Sequence, residues 1–104
     1  MKSKQPEHEA NLLEKIRECI ECRKYRISKH AIQRHLERRI SYRDALYVLT
    51  HGFHEKGKTS FDSVFKTWKY SIRGKSVDGL DIRVIVAFND EMIIITVIDV
   101  TRAK

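Results

Sequence analysis

Residues 92–100 read Met-Ile-Ile-Ile-Thr-Val-Ile-Asp-Val, a run with one charge and seven β-branched side chains. A helix would crowd that many branched side chains against the preceding turn, whereas a pleated strand accommodates them. A run this short and this apolar predicts a central strand covered on both faces. Such a strand needs neighbours, and the sequence supplies them. Over residues 80–88, Ile82, Val84, Val86 and Phe88 fall on one face with no charge among them. Over residues 64–73, Val64, Lys66, Trp68, Tyr70 and Ile72 alternate with Phe65, Thr67, Lys69, Ser71 and Arg73, again a period of two. Gly74, Asp78-Gly79 and Asn89-Asp90-Glu91 supply turns. Residues 53–56 make a candidate fourth strand, and the polar stretch 57–63 a loop.

The first half of the chain has a different period. Leu12, Leu13, Ile16, Cys19 and Ile20 recur at helical spacing. This predicts a helix with Pro6 at its first position, Glu7 and Glu9 in its first turn and an end near Arg23, after a frayed 1–5. Ser28 is a good cap for a second helix, in which Ile32 and Leu36 form the stripe that seeks a core. Ser41-x-x-Asp44 is a capping-box pattern, opening a third helix over about 42–51 with Tyr42, Ala45, Leu46 and Leu49 buried. Gly52 stands where a helix often ends in a left-handed residue. The 104 residues are enough for one domain with a modest core. The expected architecture is α+β, with two to three N-terminal helices on a three- to four-stranded antiparallel sheet. The sheet face away from the helices should carry Lys69, Arg73 and Arg83.

Charge narrows the function. The formal net charge is +7. Arg23, Lys24, Arg26, Lys29, Arg34, Arg38, Arg39 and Arg43 face Glu37 alone between residues 23 and 43, so that segment carries the chain's whole excess. Lys56, Lys58, Lys66, Lys69, Arg73 and Lys75 face only Asp62. Concentrated positive charge implies a polyanionic partner, nucleic acid first. On the second helix His30, Arg34 and Arg38 form one stripe, each about 40° round from the last. An imidazole beside two permanent cations suits a phosphate substrate, and Arg34 would help hold His30 neutral as a base.

Other chemistries find less. No Gly-rich phosphate loop, Ser/His/Asp set or paired carboxylates are evident. Cys19 and Cys22 fall in a helical pattern with no second pair, so they read as structural thiols. His51 and His54, with His30 and His35, could be assembled into a metal site only against their placement across a helix end; the expectation is no metal and no cofactor. No apolar stretch has the length of a membrane span and the start of the chain lacks a signal-peptide core, which points to a cytoplasmic protein without a membrane partner.

Ser28-x-His30-Ala31-x-x-Arg34-x-x-x-Arg38-x-Ile40, a helix ending in Gly52 and a strand ending in Ile95-Thr96-Val97 resemble a family of small bacterial proteins of unknown function. These are similar to the toxin halves of toxin–antitoxin pairs. The order of helices then sheet also resembles the RelE/MqsR-like mRNA interferases, metal-independent ribonucleases of the barnase–colicin–RelE type. The resemblance covers residues 25–100. Arg39 departs from it, standing where the family tends to have glycine, and residues 80–88 lack a tyrosine that MqsR-like toxins carry; Tyr70, one strand earlier, is the substitute. The resemblance implies a metal-independent endoribonuclease with His30 as base or acid, Arg34 and Arg38 on phosphate and Tyr70 as acid. Lys29, Lys58, Lys69, Arg73 and Arg83 would hold RNA, and an acidic antitoxin would cover the site. The alternatives are a nucleic-acid-binding module that cleaves nothing and a basic interaction protein for an acidic partner.

Overall fold

The computed structural model of the chain describes residues 8–38 and 40–102, the side chains of 34–38 and 102 lying outside the description. Helix α1 (Leu12–Glu21) begins after Asn11, which is left-handed at φ 54°. Pro6 lies outside the described residues. Glu9 precedes the helix instead of occupying its first turn, and its amide donates to the Tyr70 hydroxyl at 2.8 Å. Leu12 and Ile16 are the buried residues of α1. The helix ends where Lys24 N–H reaches the Cys19 carbonyl at 2.8 Å and Arg23 N–H reaches Ile20 at 3.2 Å. That doubly bonded end needs a left-handed residue, and Arg23 supplies it at φ 57° in place of the usual glycine.

Strand β1 (Tyr25–Ile27) leads through Ser28 into helix α2 (Lys29–Arg38). Helix α3 (Tyr42–His51) has the capping box read from sequence: Asp44 N–H donates to Ser41 Oγ at 3.2 Å and Ser41 N–H to Asp44 Oδ2 at 3.1 Å. Two buried faces differ from expectation. Among the described side chains of α2 the buried one is Ala31, while Ile32 is 48% exposed; the side chain of Leu36 lies outside the described residues. On α3 Val48 joins Ala45 and Leu49, and Tyr42 is 52% exposed.

The rest is sheet: β2 (Phe53–His54), a 3-10 turn (Lys56–Lys58), β3 (Ser60–Asp62), β4 (Thr67–Lys75), β5 (Asp81–Asn89) and β6 (Glu91–Asp99), closed by a 3-10 turn (Val100–Arg102). The sheet has six strands in the order β1-β6-β5-β4-β2, with β3 also on β4. It is mixed, because β1 runs parallel to β6 while all other pairs are antiparallel. Three of the expected antiparallel strands are the long β4, β5 and β6, and β2 is the short fourth read over 53–56. The additional strands are β1, in the stretch read as a connection, and β3, in the stretch read as a loop; each has three residues, too few to show a period, and β2 and β3 divide one edge of β4 between them.

The helices cover the face that carries Tyr70, Ile72, Ile82, Val84, Val86, Met92 and Ile94, all buried. The alternation in β6 changes phase midway. Ile85 pairs with Thr96 and Val86 with Ile94, so Ile95 has no partner on β5. Beyond this bulge Val97 and Asp99 turn to the core and Thr96 and Ile98 away from it. The central strand is therefore covered by helices on one face only; Ile93, Ile95 and Ile98 on the other are half-buried.

Gly52 is not left-handed, with φ −84° and ψ −167°. Its requirement is space. A Cβ there would lie 2.5 Å from the Arg73 carbonyl oxygen and 2.6 Å from that of Val48. Opposite, a Cβ on Gly74 would meet Gly52 Cα at 3.0 Å. Two glycines thus let the end of α3 close directly onto β4.

Candidate nucleic-acid interface

The helix-free face of the sheet holds a groove of about 690 Å³. Arg26 of β1 stands at one end; Ile93 and Ile95 of β6 and Ala87 of β5 form an apolar floor; Lys69 of β4 and Phe65 and Lys66 of the β3–β4 turn close the other end. Strand alternation puts these residues there. Arg26 is registered opposite Ile93, and Ile93 opposite Ala87, so all three share one side of the sheet.

The β3–β4 turn is fixed by one carboxylate. Asp62 Oδ1 accepts from Val64 N–H at 2.9 Å and Phe65 N–H at 3.1 Å, and Oδ2 faces Lys69 Nζ at 3.6 Å. The Phe65 amide, then that of Val64 and the Lys69 ammonium, hold the Asp62 carboxyl below its ordinary pKa. Lys66 completes the turn in a left-handed conformation at φ 55°. The outcome is an exposed aromatic, Phe65 at 77%, held on a short turn between two lysines. At the other end Arg26 Nε donates to Glu91 Oε2 at 2.9 Å, and its side chain remains 58% exposed.

The first turn of α2 is anchored beside this groove. Ser28 N–H donates to the Ile94 carbonyl at 2.9 Å and Ser28 Oγ to that of Ile95 at 2.8 Å, while Ala31 N–H donates to Ser28 Oγ at 3.1 Å. The bulge frees the Ile95 carbonyl for this contact, and the same hydroxyl caps the helix. Lys29 and His30 follow, both exposed. Arg34 and Arg38 lie on α2, and their side chains fall outside the described residues.

The remaining sequence candidates are placed differently from one another. Tyr70 is 3% exposed on the helix-covered face. Its ring packs among His8, His54, Trp68 and Phe88, and burial raises its pKa, partly offset by the Glu9 amide. A buried phenol already accepting from a backbone amide is a core residue, which removes it from the expected role of acid. Arg73 and Arg83 do sit on the helix-free face, side by side in register, but both are occupied. Glu55 Oε1 accepts from Arg83 Nε at 2.6 Å and Ser71 Oγ at 2.8 Å; Glu55 Oε2 accepts from Arg73 Nη1 and Arg83 Nη2, each at 3.0 Å. Asp81 takes the rest of Arg73, at 3.0 and 2.7 Å. Hydrogen bonds from Arg83, then Ser71 and Arg73, pull the Glu55 carboxyl down to about 2. These two arginines bind carboxylates, so their expected contact with phosphate gives way to a structural one. Lys58 is exposed on the 3-10 turn after β2 and does not line the groove.

His51 packs on Tyr47, and His54 Nε2 is 2.8 Å from Thr59 Oγ1. Among the described residues no three His, Cys, Asp or Glu side chains stand together as a metal would require. Cys19 and Cys22 are free thiols, and burial raises that of Cys19. No described helix is long and apolar enough to cross a membrane.

Sequence reasoning missed Phe65, Lys66 and Arg26 as members of one site. Phe65 and Lys66 read as strand residues, and only the Asp62 turn puts them at its end. Arg26 was visible as charge, but its pairing with β6 was not.

A family model described as a domain of unknown function, DUF4258, matches residues 27–100. No curated protein and no solved structure matches the chain.

Proposed function

The chain belongs to the DUF4258 family, a domain of unknown function, and from that premise we propose that it is a toxin-type RNA-binding protein and a metal-independent endoribonuclease. The observation that carries this reading is the groove: an apolar floor, an exposed Phe65 and the cations Arg26, Lys66 and Lys69 on the face that no described helix covers. Single-stranded nucleic acid asks for that combination, because bases stack on an aromatic face while the backbone follows positive charge.

In this reading His30, two residues after the Ser28 that bonds the Ile95 carbonyl, takes the 2′-hydroxyl proton or supplies a proton to the leaving 5′ oxygen. The neighbouring cations stabilise charge on the phosphoryl oxygens. Arg34 and Arg38 share the helix with His30 and are its proposed phosphate partners. A second reading, binding without cleavage, draws on the burial of Tyr70 and the carboxylate pairing of Arg73 and Arg83, which leave fewer groups for catalysis.

Turnover and binding of labelled single-stranded RNA in excess chelator separate the two. The first reading expects cleavage that His30→Ala lowers by roughly two to four orders of magnitude with little change in affinity. It also expects Phe65→Ala to weaken binding by about 1–3 kcal/mol and Lys69→Ala to reduce the salt slope by about 0.7. Binding without turnover selects the second reading. RNA affinity indifferent to Phe65, Lys69 and Arg26 rejects the groove.

A further inference from the structure

The two ends of the groove hold their cations differently. At the β3–β4 turn Lys66 and Lys69 stand against one carboxylate, Asp62, whose Oδ1 is already taken by two backbone amides. At the β1 end the balance is reversed. Arg26 Nε donates to Glu91 Oε2 at 2.9 Å, and among the described residues this is the one hydrogen bond its guanidinium makes. Asp90, in the turn before Glu91, adds a second exposed carboxylate. The charge of Lys24, two residues before Arg26, acts on the Cys19 thiol of α1. A phosphate brought to Arg26 would meet a carboxylate already bonded to the same guanidinium.

The sheet fixes this corner. Arg26 is registered opposite Ile93 and Glu91 opposite Asn89, so by strand alternation all four share the helix-free side. The Lys24 carbonyl accepts from Met92 N–H at 2.9 Å and holds that register. Arg26 and Asn89 line the groove, and the Arg26 and Glu91 side chains are 58% and 38% exposed. A ligand therefore meets two Nη groups that only donate, a carboxylate that only accepts, and a carboxamide that does both.

That combination selects one base. A guanidinium fork finds two adjacent acceptors at O6 and N7 of guanine, or at O2 and N3 of cytosine. A carboxylate asks for two adjacent N–H donors, and among the RNA bases only guanine offers them, at N1 and N2. Guanine alone satisfies both partners at once. Its acceptors N7 and O6 are followed along one edge by its donors N1–H and N2–H, the complement of a guanidinium beside a carboxylate. A neutral base also brings no charge against Glu91.

We propose that the Arg26–Glu91 corner reads a guanine, Arg26 donating to O6 and N7 and Glu91 accepting from N1–H and N2–H, with Asn89 at the rim. This rests on the reading of the groove as a site for single-stranded RNA and gives that site a base preference. The strands β1, β6, β5 and β4 are neighbours in that order. At about 4.8 Å per step Arg26 stands roughly 14 Å from β4, so the guanine is a different base from the one stacked on Phe65.

The test uses hexamers of 2′-fluoro RNA, which offer no 2′-hydroxyl to cleavage. Five positions are uridine and the third is guanine, adenine, cytosine, uracil, hypoxanthine or 7-deazaguanine; binding is read by anisotropy in excess chelator. The guanine hexamer should bind roughly tenfold or more tighter than the adenine, cytosine and uracil ones. Hypoxanthine, without the N2 amino group, and 7-deazaguanine, without N7, should fall between. Glu91→Ala should remove the preference and free Arg26 for phosphate, steepening the salt slope by about 0.7. Arg26→Lys, which keeps the charge, should remove the preference as well. Phe65→Ala should weaken every hexamer by the same factor. All three side chains are exposed, so these variants should melt like the parent, and the base analogues need no variant. Equal binding of all hexamers, with Phe65 and Lys69 still required, overturns the proposal and leaves the groove standing. Preference for another base overturns it, as does a guanine preference that survives in either Glu91→Ala or Arg26→Lys. Failure of every hexamer to bind overturns the groove reading, and this proposal with it.

Discussion

Glu55→Gln should destabilise this protein more at neutral than at acid pH. The Glu55 carboxylate accepts four hydrogen bonds, from Arg83 twice, Arg73 and Ser71, and its side chain is 14% exposed. An amide of the same shape keeps one acceptor oxygen and turns an NH2 toward guanidinium donors. Arg83, 17% exposed, would then have no carboxylate, and Arg73 would keep only Asp81. Removing one partner of a mostly buried pair typically costs about 3–5 kcal/mol. The titration gives a separate figure. A carboxyl at about 2 instead of the ordinary 4.5 corresponds to roughly 3 kcal/mol at 1.36 kcal/mol per unit. The folded pKa lies below the unfolded one, so this contribution is complete above about 4.5 and is lost as pH falls from there toward 2. Urea unfolding at pH 7 and pH 3 is the assay. The variant should lose about 3 kcal/mol at pH 7 and about 1 kcal/mol at pH 3, where the parent's own Glu55 has lost much of its advantage. A loss equal at the two pH values, or below about 0.5 kcal/mol at pH 7, would refute the argument that Glu55 holds the two arginines by its charge.

Gly52→Ala should cost about 1–3 kcal/mol or more, since its Cβ would press on two backbone carbonyls that no rotamer can move; thermal melting shows this, and an unchanged melt would mean that α3 does not close on β4 as described. Ser28→Ala removes both the cap of α2 and the donor to the Ile95 carbonyl, a loss of about 1–2 kcal/mol by urea unfolding; slowed exchange of the Ala31 amide in the variant would contradict it. His54 has its pKa lowered by burial, then by His8 and Lys56. Its neutral form is the folded form, so this share of stability is present above the ordinary value of 6.5 and is lost as pH falls below it. Thr59 gives its hydrogen to the Glu55 carbonyl, so His54 Nε2 is the donor to Thr59, and His54→Gln keeps a donor there while removing the titration; melting curves between pH 7.5 and 5 should be flatter in the variant, and identical curves would exclude it.

The long elements were legible because period and capping agree along them. Ser28 and Ser41 cap the helices they were read to cap, and the hydroxyl and carboxylate that do so are local in sequence. Ile32 was misread because helical spacing defines a stripe without saying which neighbour faces it. Ala31, one residue earlier, is small enough to bring α2 onto β6, and that rotation leaves Ile32 at the surface. The phase of β6 was hidden for a related reason. In a run as uniformly branched as Met92–Val97 a bulge changes which residues are buried without leaving any polar residue on the wrong side. Arg73 and Arg83 show the limit for charge. A count of basic residues cannot reveal that Glu55, distant from Arg83 by 28 positions, is delivered to both.

The bulge at Ile95 explains how one strand serves both faces. Its carbonyl is turned out of the ladder and taken by Ser28, which fixes the start of α2 at the sheet's β1 edge. Its side chain lines the groove, while Ile94 and Val97 on either side of the phase change floor an apolar cleft under α2 and α3. A strand in regular alternation through this point would turn Val97 away from that cleft and break the seam between Ser28 and the sheet. Groove and cleft therefore share one structural origin, and His30 follows two residues after the Ser28 bonded to it. A substitution that regularised β6, such as deletion of Ile95, would disturb both surfaces together although they face opposite ways. Loss of RNA binding together with a lowered melt in that single variant, where Phe65→Ser loses RNA binding alone, is the pattern this geometry requires.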